Sequence, residues 1–220
     1  MKGQITIQSA IDELQRMFKF FNAHYFNNEL ERPVITILAD STSGAYGWIS
    51  ENKVWSSKSN AWFREINLCA EYLNRAPELV ITTLMHEMCH LYNIQHGVKD
   101  TSRNGTYHNA AFRDTAEARG LIVEKHKTYG YCIATPSPEF TELVNEHCRA
   151  GCFKLERIKT YRDGTPKVTK TGSDGKEKTV SRTKQSSRKY VCPNCKLIAR
   201  TTKEARLVCW DCEKEMLFEN

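Results

Sequence analysis

Residues 86–90 read His86-Glu87-Met88-Cys89-His90, and this run constrains the chain more than any other stretch because it works only on a helix. Helical positions i and i+4 share a face, so both imidazoles can reach one metal ion while Glu87, one residue along, leans over the same point. Two neutral imidazoles and a carboxylate suit a hydrolytic zinc, which lowers the pKa of a water to about 7 beside a base that can take its proton. The flanks predict the helix. Pro77 and Glu78 fit a first turn, Val80, Ile81, Leu84, Met88, Leu91 and Ile94 continue the apolar pattern, and Gly97 fits a stop. Apolar residues cover much of the circumference, so the helix should be buried. Buried histidines and glutamate each need a polar partner, and one metal ion serves all three.

A catalytic zinc commonly takes three protein ligands and leaves a fourth position for water. Two histidines compete for the third place. His96 stands six residues after His90 and gives HExxHxxNxxH, a metzincin spacing with Asn93 where those proteases carry glycine. A methionine turn should then follow, but no Met lies between Met88 and Met216. His108, just before a second helical stretch running to Gly120, is the favoured candidate. Cys89 is turned off the face shared by His86 and His90 and reads as core packing.

At the other end, Cys192-Pro193-Asn194-Cys195 and Cys209-Trp210-Asp211-Cys212 form two Cys-x2-Cys knuckles separated by 13 residues. The pair has the spacing of a four-cysteine zinc ribbon, a closed site that folds a module and does no chemistry. His147, Cys148 and Cys152 are also close in sequence, but no fourth ligand accompanies them. The five cysteines outside the ribbon show no disulfide framework.

Charge divides the chain. Residues 1–152 hold 15 Lys+Arg and 17 Asp+Glu, residues 153–190 hold 12 and 4, and residues 191–220 hold 5 and 5. The net +8 between the two metal motifs lies in a stretch rich in Gly, Thr, Ser and Lys, which reads as a solvated linker or an exposed hairpin. Such a segment can neutralise phosphates without reading sequence, which implies DNA as a partner. Three segments follow: a metal-binding domain over 1–152, a basic linker or hairpin over 153–189, and a ribbon over 190–220. No apolar run approaches the roughly 18 residues of a membrane span, and no signal-peptide core is evident, so a cytoplasmic protein without a membrane partner is expected.

Periodicity fills in the architecture. An amphipathic helix is expected over residues 7–27, short strands over 34–38, 45–49, 53–55 and 65–68, and a later helix over 138–150. Together these predict an α+β domain with helices against one small, mainly antiparallel sheet.

The chain resembles the SprT-like zinc metalloproteases. The resemblance rests on Phe26-Asn27-Asn28-Glu29-Leu30, on Glu65-Ile66-Asn67-Leu68, on the HExxH run, on the Gly105–Phe112 segment that holds His108, and on the terminal ribbon. It implies a zincin-like fold in which His86, His90 and His108 hold a catalytic zinc, Glu87 is catalytic, and Cys192, Cys195, Cys209 and Cys212 hold a structural zinc. It also implies hydrolysis of peptide bonds in proteins bound to DNA. Two alternatives remain at this level: a nucleic-acid-binding or regulatory zinc protein without protease activity, and a zinc peptidase with no DNA role. Tyr107, Tyr129 and Tyr131 are candidate oxyanion donors.

Overall fold

The computed structural model describes residues 6–39, 44–158, 169–171, 177–179 and 187–219, and the chain divides into two compact units, residues 1–159 and 160–220.

The first unit opens with α1 (Ile7–Phe26). Thr6 starts it by a reciprocal cap: its hydroxyl accepts from the Ser9 amide at 3.1 Å while the Ser9 side chain faces the Thr6 amide. A cap of this kind contributes about 1 kcal/mol. Leu14, Met17, Phe18 and Phe21 form the buried stripe of the helix. It ends where Asn27 and Asn28 adopt left-handed φ values of 50° and 62°, a conformation that asparagine tolerates. Asn22 then clasps Leu30, donating to its carbonyl at 3.1 Å and accepting from its amide at 3.0 Å.

Five strands follow: β1 (Val34–Leu38), β2 (Gly47–Ile49), β3 (Trp55–Ser56), β4 (Trp62–Phe63) and β5 (Glu65–Cys69). β5 is buried along its whole length between β1 and β2, while β3 and β4 form a separate two-stranded ribbon. Asn67, fully buried on β5, accepts from the Thr36 hydroxyl at 3.1 Å and the Leu38 amide at 2.8 Å, so a polar side chain fastens the central strand to β1.

The single, mainly antiparallel sheet expected from sequence is corrected in number: among the described residues the unit has several small sheets, with most pairings antiparallel and two parallel. β1 runs parallel to β5, and only β2 pairs with β5 antiparallel. The β2–β4 excursion separates β1 from β5, which gives the chain the length to return in the same direction, and alternation in sequence carries no information on orientation.

The unit continues with α2 (Pro77–Gln95), β6 (Thr101–Ser102), β7 (Tyr107–His108), α3 (Ala110–Glu117), β8 (Leu121–His126), β9 (Gly130–Pro136) and α4 (Pro138–His147). A second sheet has the order β6-β7-β9-β8, again with one parallel pairing, β7 with β9. α2 is the hub. Its buried residues join those of α1, β5, α3 and α4 in one core, and the hydroxyls of Thr82 and Thr83 return to the Glu78 and Leu79 carbonyls, which satisfies them inside that core. Beyond α4 the chain stays on the unit: Phe153 is buried, and the Arg157 amide and guanidinium meet the Ala70 carbonyl and the Glu71 carboxylate at 2.9 and 3.0 Å.

In the second unit, β10 (Thr169–Thr171) pairs antiparallel with β11 (Glu177–Thr179). Much of the segment expected as a basic linker or hairpin, residues 159–168, 172–176 and 180–186, lies outside the described residues. β12 (Arg188–Val191) lies between β13 (Ile198–Thr201) and β16 (Leu217–Glu219), and β14 (Val208–Cys209) pairs with β15 (Lys214–Glu215). Among the described residues the buried core of this unit is small: Tyr190, Cys192, Cys209 and Met216. Among the described residues, no helix is long and apolar enough to cross a membrane.

Candidate metal centres

α2 presents His86 and His90 one turn apart, and β7 brings His108 to them. The three Nε2 atoms form a nearly equilateral triangle: His86–His90 at 3.2 Å, His86–His108 at 3.2 Å and His90–His108 at 3.1 Å. Tetrahedral zinc with Zn–N bonds of 2.0–2.1 Å requires nitrogens about 3.3–3.4 Å apart, so the donor set fits this ion. The ring of Phe112, on α3, packs against all three imidazoles at 4.4, 4.5 and 4.8 Å between centroids and closes the space behind them.

The proton positions point the same way. His90 Nδ1 meets Asp100 Oδ2 at 2.6 Å, a contact in which Nδ1 donates and Nε2 is the nitrogen turned toward the other two histidines. Burial holds His86 well below the ordinary imidazole range and lowers His108 to about 4, with His90 adding to both shifts and His108 to that of His86. Three ring nitrogens thus converge on one point, where a cation would relieve their mutual crowding. A metal on Nε2 would fix the proton of His108 on its buried Nδ1, the side that faces the Tyr129 backbone.

Asp100 belongs to a longer chain of contacts. Burial works against its carboxylate, but the hydrogen bonds and charge supplied by His90 and the hydrogen bond from Asn93 outweigh that and lower its pKa. Asn93 donates to Asp100 Oδ2 at 2.9 Å and accepts from the Thr115 hydroxyl at 2.9 Å. Asn109 caps α3 through its side chain and donates its own amide to the Asp100 carbonyl at 2.9 Å, so the loop carrying Asp100 is tied to the helix beside His108. Only glycine fits where β9 crosses β7. A Cβ on Gly130, whose φ is +71°, would lie 2.0 Å from the His108 carbonyl oxygen.

Glu87 is 5 % exposed, and burial pushes its pKa up to about 7. Its Oε1 lies 3.4 Å from the place a Cβ on Gly47 would occupy, so β2 passes directly over the carboxylate.

His96, the competing third ligand, is elsewhere. It ends α2 with its ring on Tyr92 at 4.1 Å and its Nε2 3.8 Å from Glu29. Cys89 is buried and its thiol is pushed up to about 12 by that burial, as befits a core residue. Among the described residues, His147, Cys148 and Cys152 join no cluster of metal-ligating groups. His147 packs on Phe20 at 4.4 Å, and the Arg149 amide donates to Glu13 at 2.7 Å, so this turn fastens α4 to α1. The three tyrosines considered as oxyanion donors face other partners: Tyr107 lies under Arg103, Tyr129 stacks on His126, and the Tyr131 hydroxyl accepts from Arg113 at 3.2 Å.

In the second unit, Cys192, Cys195, Cys209 and Cys212 converge, with every Sγ within 4.8 Å of the others. Cys195 and Cys209 are 3.6 Å apart, against the roughly 3.8 Å that Zn–S bonds of 2.3 Å require. The knuckles repeat one backbone device: Lys196 and Glu213, each the residue after the second cysteine, have φ values of 62° and 50°. The Cys195 amide foremost, with Asn194 and neighbouring thiols, draws the Cys192 pKa down to about 7, and Asn194 Nδ2 donates to Cys212 Sγ at 3.4 Å. Each contact favours the thiolate it reaches, although the crowded neighbouring thiols leave the pKa values of Cys195 and Cys212 raised.

With this geometry in hand, comparison with known families is decisive. The model of the SprT-like family matches residues 14–131, more than half of the chain, and the match spans the opening helix, the HExxH helix and His108. The chain belongs to the SprT-like family. No curated protein and no solved structure matches it significantly. The ribbon lies outside the matched region of this SprT-like chain, and its four-cysteine cluster is consistent with the module expected there.

Sequence reasoning missed two parts of the SprT-like site. Asp100 carried a weak signal, an acidic residue ten positions after His90 in a short loop. Phe112 carried none, because a buried aromatic on a helix looks the same wherever it packs. The stretch Tyr129-Gly130-Tyr131-Cys132-Ile133, readable from sequence as either returning toward the cleft or packing on the core, does return: Gly130 pairs with His108, whose amide donates to the Tyr129 carbonyl at 3.0 Å.

Proposed function

We propose that this chain is a zincin-like, zinc-dependent endopeptidase that acts on DNA-associated proteins in the cytoplasm, with one catalytic zinc at His86, His90 and His108 and one structural zinc at the four cysteines. The observation that carries the reading is the triangle of three imidazole nitrogens with Glu87 buried beside it. A structural site needs no general base and commonly fills its fourth position from the protein, and no fourth side chain joins the histidines among the described residues.

Zinc bound there supplies a Lewis acid for the scissile carbonyl and acidifies a water. The chain's own groups do the rest. The Glu87 carboxylate takes the proton of the attacking water and delivers it to the leaving amide nitrogen. A divalent cation nearby favours the ionised carboxylate and so opposes the burial that raises its pKa. Asp100 holds the His90 ring by Nδ1, and Phe112 excludes water from behind the ligands.

β2 supports an extended substrate. It is an edge strand, and the bonds from Cys69 to Tyr46 and from Ser50 to Glu65, both 2.9 Å, set its register on β5. In that register the backbone groups of Trp48 face β5, whereas those of Gly47 and Ile49 face the open edge above Glu87. A peptide strand added there would pass the metal centre. The net +8 of residues 153–190 supports nucleic acid as the surface on which substrates are met.

The test is cleavage of a DNA-binding protein by zinc-loaded wild type and Glu87→Gln, each with no DNA, single-stranded DNA or duplex. Cleavage by wild type alone, dependent on DNA, is expected. DNA-independent cleavage would leave a zinc peptidase without a DNA role, and inert wild type that still binds DNA would favour a binding protein.

A further inference from the structure

Ion pairs in the first unit take up many of its cations: Lys53 and Arg64 meet Glu31, Arg113 meets Asp114, and Arg157 meets Glu71. Arg103, Lys125 and Lys127 make no such pair among the described residues, and they share one place. They lie on or beside two turns, β6–β7 and β8–β9, that meet next to His108. Arg103 joins the turns, its guanidinium 4.9 Å from the Tyr107 ring centroid and its Nη1 3.5 Å from the Thr128 carbonyl. The Lys125 ammonium lies 5.4 Å from the Tyr131 ring. Glu124 is the acidic neighbour in the run, and residues 124–127 remain net positive.

Tyr129 is the second observation. The residue is 51 % exposed, yet its ring is not loose. It stacks on His126 with centroids 5.0 Å apart and planes at 20°, and His126 Nδ1 accepts from the Thr128 and Tyr129 amides at 3.1 and 3.3 Å. The turn is thus held from within, and an aromatic face is preset at its surface. The Tyr129 carbonyl accepts from the His108 amide at 3.0 Å, which places this surface against a candidate metal ligand.

We propose that these two turns bind single-stranded nucleic acid, with Arg103, Lys125 and Lys127 on phosphates and Tyr129 under an unpaired base. A preset aromatic ring flanked by cations is how strands are held without sequence preference, and a duplex offers no base face for it. An acidic protein would use the cations and leave the ring idle. The proposal rests on the nucleic-acid part of the proposed function and puts a contact on the first unit, apart from the basic segment, so that a strand and the proteins on it lie beside the cleft.

The test measures binding of a fluorescent oligothymidylate to the full chain over a salt series. It compares wild type, Arg103→Ser/Lys125→Ser/Lys127→Ser, Tyr129→Leu and Tyr129→Phe, with zinc content and melting temperature as controls for folding. Each phosphate that is no longer neutralised lowers the salt slope by about 0.7, so the triple variant should drop by about 2 in slope and roughly tenfold or more in affinity. Tyr129→Leu should bind about 5- to 100-fold more weakly with its slope unchanged, and Tyr129→Phe should match wild type. If wild type binds and all variants bind equally well, the proposal is overturned while the DNA reading stands on another surface. Weakening in the triple variant alone would reduce the surface to a general anion contact and overturn the single-strand assignment. Failure of wild type itself to bind would remove the nucleic-acid part of the proposed function, and this inference with it.

Discussion

The two ligand clusters differ in number of donors and in what supports them. The histidine centre offers three nitrogens, a buried carboxylate beside them, and a wall made by Phe112, all anchored in a core that unites α1, α2, α3, α4 and β5. The cysteine centre offers four sulfurs, and two of its cysteines are themselves half of the four buried core residues found among the described residues. Three donors leave a coordination position open and four close it, so the first arrangement suits chemistry and the second suits folding. Metal should therefore be an addition to a finished fold in one unit and part of the fold in the other.

The largest effect should come from breaking the cysteine centre. Apparent zinc binding to such sites amounts to about 10–16 kcal/mol, and the core around Cys192 and Cys209 is too small to replace it. Cys192→Ser should abolish amide-exchange protection over residues 187–219 while α1 and α2 stay protected. Persistent protection in β12 and β13 would show that the ribbon folds without its metal.

Breaking the histidine centre should cost metal and leave the fold. His108→Ala should retain one zinc per chain, at the cysteines, and lose the other. Asp100→Asn should weaken the second zinc by about 10- to 100-fold in a chelator competition, because it disturbs the ring orientation of His90 without removing a ligand. Affinity equal to wild type would mean that the His90–Asp100 contact does not orient the ligand.

A third change separates the cleft from the metal. A Cβ on Gly47 would lie 2.8 Å from the Asn67 carbonyl oxygen and 2.9 Å from Thr83 Cγ2. Gly47→Ala should push β2 off α2 at a cost of about 1–3 kcal/mol, lowering peptide cleavage while both zinc ions stay bound. Unimpaired cleavage would show that the position of β2 is immaterial to the substrate.

The smallest effect concerns pH in the metal-free protein. Glu87 titrates at about 7 when folded, above its ordinary 4.5, so its ionisation penalises the fold fully above pH 7 and the penalty fades as the pH falls toward 4.5. Metal-free Glu87→Gln lacks that penalty. It should melt above metal-free wild type at pH 7.5, and the gap should close on acidification. His86 and His108, whose pKa values are lowered, work in the opposite sense: their contribution is lost as the pH falls below about 6.5, equally in both proteins.

The contrast between the clusters also explains what the sequence could reveal. The local part of each cluster was legible: His86 and His90 are brought together by helical spacing, and each cysteine pair by its knuckle. His108 needed the weighing of two candidates, because it joins the centre through a β7–β9 crossing that depends on Gly130 and on no regular period. Asp100 and Phe112 reach the histidines only through tertiary packing, and their identities alone say nothing of it. In the fold, α1 and α2 emerged from apolar spacing to within a residue or two, whereas the parallel pairing of β1 with β5 did not, since a strand pattern is the same in either direction.

The most direct measurement is zinc content and peptide cleavage on the same samples of wild type and Glu87→Gln. The account predicts two zinc ions in each protein and cleavage lower by about 10²- to 10⁴-fold in the variant, since a general base is removed and no ligand is. Cleavage equal to wild type at equal zinc content would contradict it, because the carboxylate beside the histidines would then have no part in the chemistry.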